Sequence, residues 1–545
     1  LVFLAVAVFY DRLATIDRNL SDSQIFLTTV ALKTIDGRLF SADPLFSSAT
    51  VPPSLSPVFV SVLKGVLLTA PGDPILPLRV LVGPLTLLYL LGMYSLLYRQ
   101  SRSWSIATFV AVLSTVVIKA LGGSAWGMGT LASVGPAALP LALTPLIVLF
   151  LLDAVSQTGP RWRLGAIFLV VGLLGHFDLD WAINMGIVLA GVYLAQRRFT
   201  AFSWVAVVGC LVLAAAGTMP YLIQYVRTRL AVSSVSGQAQ TLCWALREGG
   251  QAMLYPQALR ALPDWLVWFV PPAILVVAVL SQVDRFRVPL LGFWIAFAVW
   301  AVAVAVVFQA SSQLVGLATG TIPPWTGFVQ ASCFLMLPLY ALFAQALTGL
   351  FRLARGHHGL MRAACAVAAA AWLIPSANLA PARHATYAAA SVLLSEENKP
   401  RRLRKIQESL SRDAELVAIA RWAVTHTPID AVFLTDQSRF RLLSRRAIVA
   451  GEDDGGALRC YWPERLADWR RRLERQDPLL HPVSGQADPA AINQFVGELS
   501  SQGPFVATGN WYVLLPASAA PEGSTILTEE TAPPWGRSYR LYRLR

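Results

Sequence analysis

The feature that most limits this chain is a succession of long apolar runs. A helix needs about 20 apolar residues to cross a bilayer. Candidates recur at 1–10 (cut short), 75–97, 104–121, 131–153, 164–176, 182–196, 201–219, 265–282, 288–309, 326–351 and 361–377. The pattern predicts a polytopic α-helical membrane protein of about 11 spans. It excludes a soluble cytosolic enzyme, a disordered tail and a disulfide scaffold. Two candidates, 164–176 and 182–196, are short, and read either as thin spans or as a re-entrant pair packed in protein. The chain begins at Leu1 inside an apolar run, so the start of the first helix is expected upstream.

Charge divides the sequence in two. Residues 1–384 hold 23 Lys and Arg and 12 Asp and Glu; residues 385–545 hold 21 and 19. The second stretch is about a quarter charged, the level of a soluble domain. The expected domains are therefore a membrane unit, 1–384, and a soluble α/β domain, 385–545. In the latter, 401–425 reads as a helix, followed by strand-like 431–436, 445–451, 504–516 and 538–544, with helical 463–475 and 489–501 between them. Helices alternating with strands imply a sheet covered by helices. Residues 452–454 (Glu-Asp-Asp) read as a surface loop, and Arg470-Arg471-Arg472 as a solvated helix face.

Orientation follows from the short loops. If the first helix leaves the cytoplasm, each inner loop carries at least two arginines: Arg99/Arg102, Arg161/Arg163, Arg197/Arg198, Arg285/Arg287 and Arg352/Arg355/Arg362. Residues 385–545 then lie outside, periplasmic in a Gram-negative cell, and the protein is expected in the inner (cytoplasmic) membrane. The net charge of +13 belongs to these loops and does not indicate nucleic acid. The large outer loops are 11–74 and 220–264. The first contains a predicted amphipathic helix at 23–35, a Gly- and Pro-punctuated stretch, and an apolar helix at 57–70 too short to span, expected along the interface. Cys210, Cys333 and Cys365 read as buried small hydrophobes; pairing of Cys243 with Cys460 is left open.

There is no Walker A, no GxGxxG after a strand, no HExxH and no CxxC, so no local motif supports ATP-driven transport or redox chemistry. What remains is architecture and a few short segments. Asp17-Arg18-Asn19-Leu20-Ser21-Asp22 follows the first helix; Phe40-Ser41-Ala42-Asp43-Pro44-Leu45-Phe46 lies further along the same loop. The C-terminal part carries AVFLTD, Phe440-Arg441, Arg445-Arg446, Trp469-Arg470-Arg471-Arg472-Leu473 and YRLYRL. Taken together, these resemble the GT-C superfamily of membrane glycosyltransferases. The resemblance departs from the usual pattern at one place, since the adjacent pair of acids after the first helix is replaced by Asp17 and Asp22.

The resemblance implies transfer of a sugar from a polyprenyl-phosphate donor in the bilayer to an extracytoplasmic lipid, glycan or protein acceptor. That chemistry needs a base for the acceptor hydroxyl and cations for the departing phosphate, where the arginine fork suits phosphate oxygens. Asp22 is the candidate base; as a residue at a helix start it is also an ordinary cap. Asp43 is either a second catalytic acid or metal ligand, or a turn residue before Pro44. His176, Asp178 and Asp180, in the turn between the short spans, read either as a functional cavity or as a solvated turn with Asp180 capping the next helix. In the first case His176 contacts phosphate or relays a proton, and the acids orient the acceptor or bind a divalent cation. No motif fixes a metal or another cofactor. Arg227 and Arg229 are outer arginines against the usual bias, candidates for the lipid phosphate or for snorkelling to headgroups.

Two other functions fit the same residues. A transporter or flippase of lipid-linked sugars needs ionisable residues at mid-depth and broken helices in matching halves; few such residues are present. A non-catalytic assembly protein of envelope glycan synthesis would use the outer domain for a partner and the acids for structure.

Overall fold

In the computed structural model the residues described are chiefly 20–47, 56–116, 131–155, 162–232, 290–319, 327–353 and 401–544, with short breaks. The expected spans 1–10 and 265–282, and 361–377 but for two isolated residues, lie outside them, as does the Cys243–Cys460 question.

The segment after residue 19 opens with α1 (Asp22–Ile35). Ser21 starts it through a capping box with Gln24, whose side chain accepts from the Ser21 backbone at 2.8 Å. The predicted amphipathic surface helix is not what forms. Residues Gln24 to Leu32 are all buried, because α1 lies between the C-terminal domain and the segment before α5, where Gln24 Nε2 donates to the Ser133 carbonyl. Helix α2 (Pro57–Thr69) starts on proline at its first position, where no N–H is needed. It buries Phe59, Val60, Leu63 and Leu67, and leaves Val58 and Leu68 exposed.

The membrane unit continues with α3 (Leu76–Ser101), α4 (Trp104–Leu113), α5 (Ala138–Val155), α6 (Trp162–Leu174), α7 (Leu179–Gln196) and α8 (Ala201–Val232). It resumes with α9 (Leu291–Ala303), a π-helical turn (Val304–Phe308), α10 (Gln309–Thr319), a 3-10 segment (Phe328–Leu335) and α11 (Met336–Leu353). Six stretches among the described residues are long and apolar enough to cross a membrane, matching six of the expected spans. The stretch expected as a span at 104–121 stops being helical at Leu113. Its backbone turns at Ser114, where Tyr89 Oη donates to the Ser114 carbonyl at 3.0 Å. A two-residue antiparallel ladder follows, β1 (Ile118–Lys119) with β2 (Ala125–Trp126). Helices α6 and α8 pack closely at small residues: a Cβ on Gly172 would collide with the Ala214 carbonyl.

The C-terminal domain starts with α12 (Arg401–His426) and alternates strands and helices: β3 (Val432–Leu434), α13 (Ser438–Ser444), β4 (Ala447–Ile448), α14 (Asp454–Tyr461), α15 (Leu466–Leu480), α16 (Pro489–Ser500), β5 (Trp511–Pro516), β6 (Leu527–Glu529) and β7 (Tyr539–Leu544). The five strands lie in the order β4-β3-β5-β7-β6. Strands β4, β3 and β5 are parallel, and β7 is antiparallel to both β5 and β6. Alternate residues go to opposite faces. Val432, Leu434, Val513 and Leu515 pack with Ile492, Phe495, Val496 and Leu499 of α16. Phe433, Tyr512 and Leu514 pack with Leu416, Ile419 and Ala420 of α12, in a core that also contains Ile25, Phe26, Leu27 and Leu63. The first loop and the C-terminal domain therefore share one hydrophobic core.

Candidate functional site

The join between loop and domain is built on β4, the edge strand. An edge strand leaves backbone donors unpaired. Here the loop segment 36–47 lies against it, and the Asp43 carboxylate takes the outward N–H of Ile448 at 3.1 Å. Its other oxygen accepts from Leu45 N at 2.9 Å, which is the turn before Pro44. Arg441 of α13 donates from Nε to Asp43 at 2.6 Å, and from Nη1 and Nη2 to the two oxygens of Asp454 at 2.6 and 2.8 Å. The three side chains are 0%, 1% and 4% exposed. Asp454 also accepts from Gly451 N at 2.9 Å.

Burial pushes Asp43 up from the ordinary carboxylate range, against the pull of Arg441. Arg441 is desolvated too, yet its two carboxylate neighbours hold it in the charged form. The aromatic wall around the node is shared: Phe26 and Phe46 from the loop meet Trp462 from the domain with ring centroids 5.4 and 6.0 Å apart, and the Arg441 guanidinium sits 5.3 Å from the Phe46 ring. The close fit is visible in Phe40, which is buried with φ 58. That conformation costs an L-residue roughly 1–2 kcal/mol, here offset by packing on Phe46 at 5.9 Å.

Two sequence expectations are corrected at this node. Residues 452–454 are not simply a surface loop: Asp454 begins α14 and is buried as Arg441's bidentate partner. Nor is the whole run 470–472 a solvated face. Arg470 and Arg471 pair with Glu474 and Asp468 in the open, whereas Arg472 turns inward, within electrostatic reach of Asp43 and Asp454.

Asp22 stands beside this node on the open side. It is the first residue of α1 and is exposed. A Cβ on Gly456 of α14 would lie 3.4 Å from its Oδ2, so its carboxylate faces the start of α14. Its pKa is raised, first by partial desolvation against α14 and then by Asp454. Next to it, Asp453 is pushed up to about 6 by desolvation and by the negative charges of Asp22, Asp454 and Glu452. The other described acids of this loop have arginine partners: Asp36 with Arg38, Asp43 with Arg441 and Asp73 with Arg79. Among the described residues Asp22 has no such partner.

The turn between α6 and α7 forms a second group. Asp178, rather than Asp180, caps α7, accepting from Trp181 N at 3.0 Å; Asp180 lies in the first turn. His176 Nε2 lies 2.9 Å from the Gly217 carbonyl of α8. A carbonyl only accepts, so Nε2 carries the hydrogen. The approach depends on the close packing of α6 on α8, and the Tyr221 ring is 6.2 Å away. Arg227 and Arg229 lie further along the same helix, about 9 and 12 Å beyond Tyr221 by helical rise; their side chains lie outside the described residues. Phe177 packs against both the bundle core and the shared loop–domain core, so this turn faces the join. No described contact links His176 to Asp22. Among the described residues, no three His, Cys, Asp or Glu converge to hold a metal ion.

Comparison with protein-family models returns no match, and none is found among the curated proteins. Among solved structures, the chain is similar to ArnT from Cupriavidus metallidurans, crystallised bound to undecaprenyl phosphate. Identity is 14% and the TM-score 0.49, over 99% of this chain and 97% of that one. At that identity and score it assigns no residue a role here.

Sequence reasoning did not single out Asp454 or Gly456 as parts of a site. Arg441 was legible only as half of the Phe440-Arg441 segment. Nothing in the local pattern around 454 signals a buried acid.

Proposed function

We propose that this chain is a membrane glycosyltransferase of the GT-C kind, moving a sugar from a polyprenyl-phosphate donor to an extracytoplasmic acceptor, with Asp22 as general base. One observation carries the reading. Among the described acids of the first loop, Asp22 alone is open to solvent, raised in pKa and without an arginine partner. A base is best placed when its pKa lies nearer the working pH. In the step, the acceptor oxygen attacks the anomeric carbon, the bond from that carbon to the phosphate oxygen breaks, the lipid phosphate leaves as an anion, and the acceptor proton passes to Asp22.

Arg227, Arg229 and His176 are assigned to the phosphate side, where the arginines would stabilise the leaving group. Asp178 caps a helix beside that group and holds the turn; Asp180 completes the polar turn. We assign Asp43 to the join, since its oxygens are taken up by Arg441 and two backbone donors. The reading places the C-terminal domain outside an inner membrane. In its support, Arg99 and Asp153 pair at one end of α3 at 2.5 Å, while the loop–domain core reaches Leu78 and Val82 near the other end.

The test is Asp22→Asn in proteoliposomes supplied with polyprenyl-phosphate sugars. Transfer is expected to fall by about a hundredfold or more, with the thermal midpoint unchanged. Full transfer by the variant removes Asp22 as base. Movement of lipid-linked sugar across the bilayer without transfer would favour the flippase.

A further inference from the structure

A cavity in the C-terminal domain stands apart from the residues around Asp22. In open sheets with parallel strands, ligands bind at the carboxyl ends of the strands, where the chain order reverses. Here the chain runs from β3 outward to β4, then crosses back to place β5 on the other side of β3. The reversal therefore falls between β3 and β5. A cavity of about 760 Å3 opens at that place. Asp436 and Gln437, which follow β3, line it, as do Ala517 and Ser518, which follow β5. This volume is within the range of small-molecule sites.

Its far wall is one stripe of α12: Arg404, Gln407, Glu408, Ser411 and Arg412, spaced three and four apart as residues on one helix face are. The opposite wall presents His481, whose Nε2 lies 3.0 Å from Asp436 Oδ2, together with Ser538 and Tyr539. Donors and acceptors are thus interleaved, and two arginines share the lining with two carboxylates. A phosphate would meet Glu408 and Asp436. A metal ion would lack a third convergent ligand among the described residues. Hydroxyl groups, which both donate and accept, match a lining of this kind.

A relay of contacts leads from the cleft toward the acid proposed as base. The backbone N–H of Glu452 donates to the Asp436 carbonyl at 2.7 Å. Glu452 precedes Asp453, which feels the charge of Asp22, and Asp22 lies against Gly456. The loops after β3 and β4 so connect the cleft to Asp22 along one edge of the sheet.

We propose that this cleft binds carbohydrate and seats the glycan of the acceptor, so that the acceptor is a saccharide-bearing molecule; this deepens the glycosyltransferase reading and rests on it. The test uses the full chain in nanodiscs against an array of defined neutral and acidic oligosaccharides, with phosphorylated saccharides and peptides as comparisons. The wild-type protein binds a subset of the oligosaccharides. Ser411→Trp, at an exposed helix position, fills the cleft and abolishes binding. Asp436→Asn weakens it by about tenfold or more, the loss expected for a hydrogen bond to a charged group, with the thermal midpoint as control for folding. A folded wild type that transfers sugar yet binds no oligosaccharide, or binding that survives Ser411→Trp, overturns the cleft while the enzyme reading stands. Saccharide binding abolished by Ser411→Trp in a protein that consumes no donor overturns the enzyme reading, and with it the acceptor role.

Discussion

Asp43 and Asp22 belong to the same loop and both feel the charge of Asp454, yet they meet opposite environments. Asp43 is sealed under Phe46 and Arg441, with every approach taken by a donor. Asp22 lies at the rim, where it loses part of its water and pairs with no cation among the described residues. A carboxylate of the first kind joins two parts of a chain; in the function proposed above, one of the second kind keeps its lone pairs for a substrate. Burial and partners, rather than residue type or loop position, separate the two roles.

The contrast can be tested by substitution. Arg441→Ala leaves two buried carboxylates without their cation and should cost about 3–5 kcal/mol. It is expected to lower the thermal midpoint most and to open residues 36–47 to protease. Replacing the same ion pair as a unit by apolar residues of similar volume should cost much less, because the desolvation penalty of the charges disappears with them.

Asp43→Asn loses the charged partner of Arg441 but keeps an oxygen for one backbone donor. A loss of about 1.5–3 kcal/mol is expected, read in the same melting and proteolysis experiments. A midpoint equal to that of the wild type would mean that the shared apolar core, not the ion pair, holds the loop.

Asp453 gives a pH signature. Its carboxyl is raised from 3.8 to about 6 in the folded chain, so the folded state holds a proton that the unfolded state has released. Its favourable contribution is present below the unfolded value and is lost as pH rises through about 6. The midpoint should therefore drift down across that range, and Asp453→Asn should remove part of the drift. The effect is small because the residue is exposed and solvent screens it.

Asp22→Asn should change stability least, by less than about 0.5 kcal/mol, as expected at a surface position. The capping box is supplied by Ser21 and Gln24, so α1 keeps its start. A large drop in stability would show that Asp22 is a structural acid like Asp43.

Much of the architecture was legible from local pattern. The apolar runs located six spans, the 57–70 helix ended within a residue of α2, and the long helix and four of the five strands of the C-terminal sheet were expected where they occur. Periodicity and capping act over a few residues, so sequence reports them. The short helices α13 and α14 were not legible. Each is only 7 or 8 residues long and is held by packing more than by propensity. The amphipathic reading of α1 failed for a related reason: a helix enclosed on all sides has no solvent face to reveal.

What the amino acids settled alone was the solvent each stretch prefers: lipid for the long apolar helices, water for the charged C-terminal part. Partition of apolar groups depends on composition and needs no knowledge of neighbours. Which acid is buried and which stands open emerged only when residues 20–47 folded onto residues 401–544. A carboxylate's role depends on the dielectric and the cations around it, and for Asp43 the deciding cation, Arg441, lies almost 400 positions away along the chain.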